Sequence, residues 1–207
     1  MPTIDEWNAA LSSSYKQSQV KDQGDGITEF MATFGSQEKS DFALSLGSRD
    51  AFRKLRIFQG GIPTIFETCV KAYVSVIDGE KPVLLLRPYY RGESWLFMKK
   101  LALMVDGNVV LEHELELQSS DRRTHGGGVE ESQDFILDSR DIEALRKITK
   151  ASNVIIRITG DKGYVSLIEK KKESSIVLFK LEVISALRIY DAIDKAVKGH
   201  IPPTLEK

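Results

Sequence analysis

The sequence predicts a mainly β protein with α elements: an antiparallel β-sandwich with a short helix and a long C-terminal helix packed on it. Three observations predict it. Alternating apolar residues dominate from Asp41 to Ile168, in short runs separated by glycine-containing turn signals. Strands joined by such short turns pair antiparallel, and two packed sheets are the usual way to bury their apolar faces. Finally, Ile176, Phe179, Val183, Ala186, Leu187, Tyr190, Ile193 and Val197 recur at three- and four-residue spacing, which makes one stripe of a long helix.

In chain order, Ile4, Trp7, Ala10 and Leu11 carry the spacing of a short amphipathic helix over residues 4–16. Ser12 to Gly26 is polar and contains glycine, and reads as loop; Ile27 to Phe34 reads as a strand or docking segment. Residues 1–40 are thus expected to be an N-terminal extension, partly helical or irregular. Residues 41–198 form the sandwich domain with its C-terminal helix, and 199–207 a tail. Phe42, Leu44 and Leu46 alternate at strand spacing, and Phe52 to Phe58 is a second extended run. Gly60-Gly61-Ile62-Pro63 signals a turn. Phe66, Thr68, Val70, Ala72, Val74 and Val76 share one parity, Asp78-Gly79 marks a hairpin turn, and Val83 to Tyr90 returns, with Pro82 and Pro88 at its edges or irregularities.

The clearest hairpin lies between Trp95 and Leu117 and turns at Asp106-Gly107-Asn108. In its second arm Val109, Leu111, His113, Leu115 and Leu117 point one way, while Val110, Glu112, Glu114 and Glu116 form an acidic solvent face. Val129 to Leu137 is another strand. Asp138 or Ser139 caps a short helix carrying Ile142, Leu145 and Ile148, and Val154, Ile156 and Ile158 alternate in the next strand. Gly160-Asp161-Lys162-Gly163 turns into Tyr164 to Ile168. On the long helix, Lys180, Glu182, Arg188, Asp191 and Lys195 fall mostly outside the apolar stripe; Gly199 stops the helix and Pro202-Pro203 prevents its resumption.

The chain has 207 residues, 42% of them hydrophobic, enough for one sizeable core. With 29 basic and 30 acidic residues its net charge is -1, so nothing global draws it to nucleic acid. Lys170-Lys171-Lys172, with Lys162 and Lys180, is too small a patch to change that. Cys69 is the only cysteine, which leaves no internal disulfide and no cysteine zinc site. The first residues, MPTIDEWNAALSSSYKQ, have neither a basic start nor an apolar segment, so no signal peptide is visible and the cytoplasm is the expected location. No stretch is apolar enough to predict a spanning helix.

The order of RPYYRGESWLFMKKLALMVDG, GGGVEES, a short helix, NVIIRITGDKGYVSL and a terminal helix resembles a loosely related group of uncharacterised bacterial proteins built as β-sandwich modules. The resemblance spans roughly Thr64 to Lys195. It implies the fold and carries over no activity.

RTHGGGVEE, residues 123–131, has the look of a lipase oxyanion loop. Such a loop works beside a Gly-x-Ser-x-Gly elbow on a strand–helix scaffold, and neither is present. Gly126 to Gly128 are therefore expected to turn a hairpin, with His125 solvated. The other histidines are His113 and His200; no HxH or HExxH pair occurs, and no metal or cofactor is expected. Phosphate-binding glycine loops are missing as well. Cys69 has no histidine partner in the pattern and reads as a structural thiol.

Two sets of residues are candidates for recognition. Arg123, Glu131 and Arg157 could pair guanidinium with carboxylate across neighbouring strands, either as a structural salt bridge, the favoured reading, or as an anion-recognition face. Tyr89, Tyr90, Arg91, Trp95 and Phe97 form an aromatic-basic cluster able to stack on a ligand or a partner side chain. The expected function is a non-enzymatic binding or structural module that contacts a protein partner or self-assembles, through an exposed sheet edge or the Tyr89–Phe97 region. The alternative is a hydrolase-like small-molecule enzyme, with Glu130, Glu131, Asp134 and Asp161 converging near His125.

Overall fold

A computed structural model describes residues 2–36, 42–60, 67–168 and 175–201; the side chains of His125 and Ser175 lie outside that description. The continuation of the turn past Gly60, Phe66, the Lys170–Lys172 run and the Pro202-Pro203 stop also fall outside it. In chain order the elements are α1 (Ile4–Ser13), β1 (Tyr15–Gly24), β2 (Ile27–Phe34), β3 (Ala43–Asp50), β4 (Leu55–Gly60), β5 (Cys69–Ile77), β6 (Val83–Gly92), β7 (Met98–Val105), β8 (Asn108–Glu114), β9 (Asp121–His125), β10 (Gly128–Ser132), β11 (Phe135–Ile136), α2 (Ser139–Ile148), β12 (Val154–Gly160), β13 (Gly163–Ile168) and α3 (Ser175–Val197). One sheet has the order β1-β2-β3-β4-β5-β6-β10-β9, with β11 also on β6; the other has the order β13-β12-β7-β8. The fold class is the expected one, mainly antiparallel sheet with a long C-terminal helix. The chain divides into two compact units: residues 1–61, 73–84 and 185–207, and residues 62–72 and 85–184.

In the first unit, Thr3 and Glu6 cap α1 reciprocally, and the helix buries Trp7 and Leu11. Asn8 accepts a hydrogen bond from Arg56 at 3.0 Å, and Arg56 forms a buried ion pair with Asp78. The stretch read as loop from Ser12 to Gly26 is instead mostly strand β1, paired with β2 from Tyr15↔Phe34 to Gly24↔Ile27. An edge strand is held by its backbone ladder and needs little apolar content, so its polar sequence hid it. Strand β2 pairs in turn with β3 over eight positions, Ile27↔Asp50 to Phe34↔Ala43.

Strand β3 keeps the predicted alternation, but its large residues point outward. Leu44 and Leu46 are 44% and 46% exposed, while Ala43 and Ser45 are buried. The rings of Tyr15, Phe30, Phe34 and Phe58 crowd the inner face at centroid distances of 5.2–6.1 Å. Gly47 lies opposite Phe30 on one side and Phe58 on the other. A Cβ there would stand 2.3 Å from the Phe30 ring, so the strand must contribute small residues to that face. The Ser45 hydroxyl donates to the Gln59 carbonyl at 2.8 Å, which satisfies the one polar group this exchange buries.

In the second unit, the β7–β8 hairpin closes on Asp106-Gly107 as predicted. Its register steps from Leu103↔Leu111 to Met104↔Val109, a bulge that leaves Val110 unopposed. The bulge turns Val109 onto the Glu112 face, where it is 56% exposed, contrary to the simple alternation expected. The β9–β10 hairpin turns at Gly126 and Gly127, with φ of 52° and 90°. Two successive positive φ values make a tight hairpin turn, and glycine adopts them without a Cβ penalty. The glycine run of the oxyanion-like stretch is therefore a turn. Asp138 caps α2 in a reciprocal box with Asp141, and Ala144, Leu145 and Ile148 are buried. Val154, Ile156 and Ile158 are fully buried on β12. His113, half-buried, stacks on Phe135 of the other sheet at 4.0 Å.

Helix α3 follows its predicted stripe. Ile176, Phe179 and Val183 are buried in the second unit, and Ala186, Leu187, Ile193 and Val197 in the first. Glu182 departs from the expectation: it is 4% exposed, not solvated. It faces Lys71 and takes a hydrogen bond from the Ala72 amide. The β4–β5 pairing runs to Gln59↔Tyr73, one residue short of Ala72.

Candidate functional site

Glu131 is fully buried on β10. Its Oε1 accepts the backbone N–H groups of Leu96 at 2.5 Å and Phe97 at 2.9 Å, and its Oε2 accepts that of Met98 at 3.0 Å. Three amides converging on one carboxylate form a backbone nest closed by a charge. The carbonyls of the same segment are engaged too: Asp161 N–H donates to Phe97 O at 3.2 Å and Lys162 N–H to Leu96 O at 3.3 Å. Gly160 makes this approach feasible, because a Cβ there would meet the Leu96 carbonyl oxygen at 2.3 Å. Glu131 is therefore a clamp that ties β10 to the entry of β7.

This corrects the expected pairing of Glu131 with Arg157. Arg157 stands on the opposite, outward face of the four-stranded sheet, donates to Ser166 at 3.3 Å, and lies over the Tyr164 ring at 4.7 Å. Arg123 is exposed and binds Asp121 on its own strand at 2.7 Å. The three residues do not converge, because β10 and β12 belong to different sheets.

The aromatic-basic cluster is dispersed in the same way. Tyr90 donates to the Ser94 carbonyl at 3.0 Å. Burial, with the nearby Glu131 charge, pushes its phenol above the ordinary value. Arg91 shares its backbone N–H and C=O with the Thr68 hydroxyl, both at 3.1 Å, and its guanidinium lies 3.8 Å from Glu130. Trp95 packs beside Phe97 at 6.4 Å, and the Phe97 ring is flanked by Arg122 at 5.8 Å and Lys162 at 5.3 Å. Tyr89 alone of the cluster lines a groove of about 190 Å³, with Lys71, Arg87, Asp121, Arg123, Glu130 and Ser132. Burial, then its hydrogen bond to Glu130, pushes the Tyr89 phenol up to about 12. Most of the groove's charged groups have partners: Arg123 holds Asp121 within it, while Arg87 holds Asp134 at 2.6 Å and Glu130 lies 3.8 Å from Arg91.

The carboxylates of the hydrolase alternative are also apart. Glu130 is in the groove, Glu131 in the clamp, Asp134 on Arg87 and Asp161 on Lys99. Among the described residues no group of three His, Cys, Asp or Glu side chains could hold a metal ion, and no helix is long and apolar enough to cross a membrane.

A second concavity lies on the outward face of the four-stranded sheet. It encloses about 240 Å³ between Lys100, Ala102, Met104, Val109, Glu112, Ile155, Arg157 and Thr159. Ile155 pairs with Ile168 and Thr159 with Tyr164, so two further exposed residues, 41% and 63% open, extend this face along β13. Its rim is polar: Lys100 holds Glu112 and Glu114 at 3.0 and 3.1 Å. Of this surface, sequence reasoning singled out only Arg157. The parity of β12 and β13 is the signal that could have found Ile155, Tyr164 and Ile168, but Val109 joins them only through the bulge. The chain matches no family model, no curated protein and no solved structure.

Proposed function

We propose that this protein is a non-enzymatic binding module working through protein–protein contacts, with the outward face of the four-stranded sheet as its contact surface. One observation carries the reading: an apolar hollow formed by Ala102, Met104, Val109 and Ile155 and bordered by Lys100, Glu112, Arg157 and Thr159, on a face where sheets ordinarily present polar side chains. An apolar centre with a polar rim is the anatomy of protein interfaces. The dispersal of Glu130, Glu131, Asp134 and Asp161 favours binding over acid–base chemistry.

The test is Val109→Glu. Val109 is exposed, so the substitution should leave the circular dichroism spectrum and melting temperature nearly unchanged. It should abolish association seen by sedimentation velocity, or by retention of a specific protein from lysate. A wild-type protein that stays monomeric at every concentration and retains nothing would overturn the reading, as would associations indifferent to Val109→Glu.

A further inference from the structure

Strand β13 ends the four-stranded sheet and, among the described residues, pairs with β12 alone. An edge strand leaves alternate backbone N–H and C=O groups free to bond another strand, and proteins ordinarily blunt such edges with charges or bulges. The strands that end the described strand orders elsewhere show those devices, and β11, on β6 alone, is only two residues long. Strand β1 carries Lys16, Lys21 and Asp22 and breaks register at Gln19, where φ is 51°. Strand β8 carries Glu112 and Glu114 and the Val110 bulge. Strand β9 carries Asp121, Arg122 and Arg123. Strand β13, Gly163-Tyr164-Val165-Ser166-Leu167-Ile168, has no charge and no proline, and pairs with β12 without a register shift.

We propose that β13 is a self-pairing edge: a second copy of this chain adds its own β13 antiparallel to it, joining two four-stranded sheets into one of eight strands. The neutrality of β13 selects this occupant. A like-charged edge repels its own copy, and an edge built for a charged partner strand would show the complementary charge. A two-fold axis normal to the sheet keeps the two outward faces on one side, so opposite residues share parity and one residue faces its own copy across the axis. With Ser166 at that position, Tyr164 meets the partner's Ile168 on the outward face, and Val165 meets the partner's Leu167 on the inward face. Every apolar side chain between Tyr164 and Ile168 then faces an apolar one, and only the small hydroxyl meets itself. Arg157, over the Tyr164 ring, holds that ring on the outward face. The pairing brings the two contact faces into register, and it rests on the protein-contact reading above.

The experiment is sedimentation velocity on the full chain over a wide concentration range, with four variants. The wild type should dimerise, weakly because the interface is small. Ser166→Lys places two ammonium groups opposite each other across the axis, and should raise the dimer dissociation constant about tenfold or more with an unchanged circular dichroism spectrum. Ser166→Cys should give a disulfide-linked dimer under mild oxidation, while Ser18→Cys on the β1 edge should not; Cys69 is buried and supplies little background. A monomeric wild type, a dimer untouched by Ser166→Lys, or a Ser166→Cys chain that does not cross-link overturns the self-pairing edge. A dimer that survives Ser166→Lys but dissociates with Val109→Glu overturns the edge pairing and leaves the contact face standing. A wild type that stays monomeric and also retains no protein from lysate overturns both.

Discussion

Replacing Glu131 with alanine should be among the most damaging single changes to the second unit. The carboxylate accepts three buried backbone N–H groups, from Leu96, Phe97 and Met98, at 2.5, 2.9 and 3.0 Å. Hydrogen bonds to a charged partner contribute about 1.5–3 kcal/mol each, and a buried donor left unpaired costs a similar amount. Leu96 and Phe97 share one oxygen, so the three are not additive, and the expected loss for Glu131→Ala is about 4–6 kcal/mol. That is a large share of a typical domain's total of about 5–15 kcal/mol. Glu131→Gln separates the contributions. Its amide oxygen can still serve Leu96 and Phe97, but its NH2 group then confronts the Met98 N–H, donor against donor, for about 2 kcal/mol. Urea unfolding at equilibrium measures both, with amide exchange at residues 96–98 as the local readout. If Glu131→Ala stays within about 1 kcal/mol of wild type, or the two variants are equally damaged, Glu131 does not act as a clamp.

Two other changes test separate parts of the fold. Burial is the main reason the Glu182 carboxyl titrates at about 7 instead of 4.5, against the opposing pull of Lys71 and the Ala72 amide. The folded chain therefore holds this proton more tightly than the unfolded chain. The contribution is complete below pH 4.5 and disappears as pH rises through 7, by about 3 kcal/mol in all. Glu182→Gln, which has no proton to lose there, should flatten that decline and exceed wild type in stability at pH 8; superimposable pH profiles would remove Glu182 as the cause. Gly47→Ala drives a Cβ to 2.3 Å from the Phe30 ring and should cost about 1–3 kcal/mol in thermal or urea unfolding, with partial recovery in a Phe30→Leu background. A neutral Gly47→Ala would mean that the aromatic face has room to spare.

Local pattern carried the chain a long way. Period-two runs located most strands, the Asp-Gly and Gly-Gly signals located hairpin turns, and the Asp138 cap and the Ile176–Val197 stripe located two helices, because these depend on residues close in sequence. Strand β1 escaped, since a ladder of backbone bonds to β2 can hold a polar strand that no apolar pattern announces. The candidate residues fared unevenly. Tyr89 and Arg123 share a groove, whereas Glu131 and Arg157 were placed in one site only by assuming that their strands are neighbours.

What the sequence by itself determined is the class of fold and the uncharged run of β13, since periodicity and the absence of charge are properties of a strand's own residues, whereas its place at the end of a sheet is not. Only tertiary structure decided which face of β3 is buried, how the β8 bulge turns Val109 outward, and that Glu131 and Glu182 serve backbone amides far away in the chain. Those outcomes depend on the volume and hydrogen-bonding needs of whatever lies opposite. A strand carries no record of its neighbour across the sheet until the two are packed together.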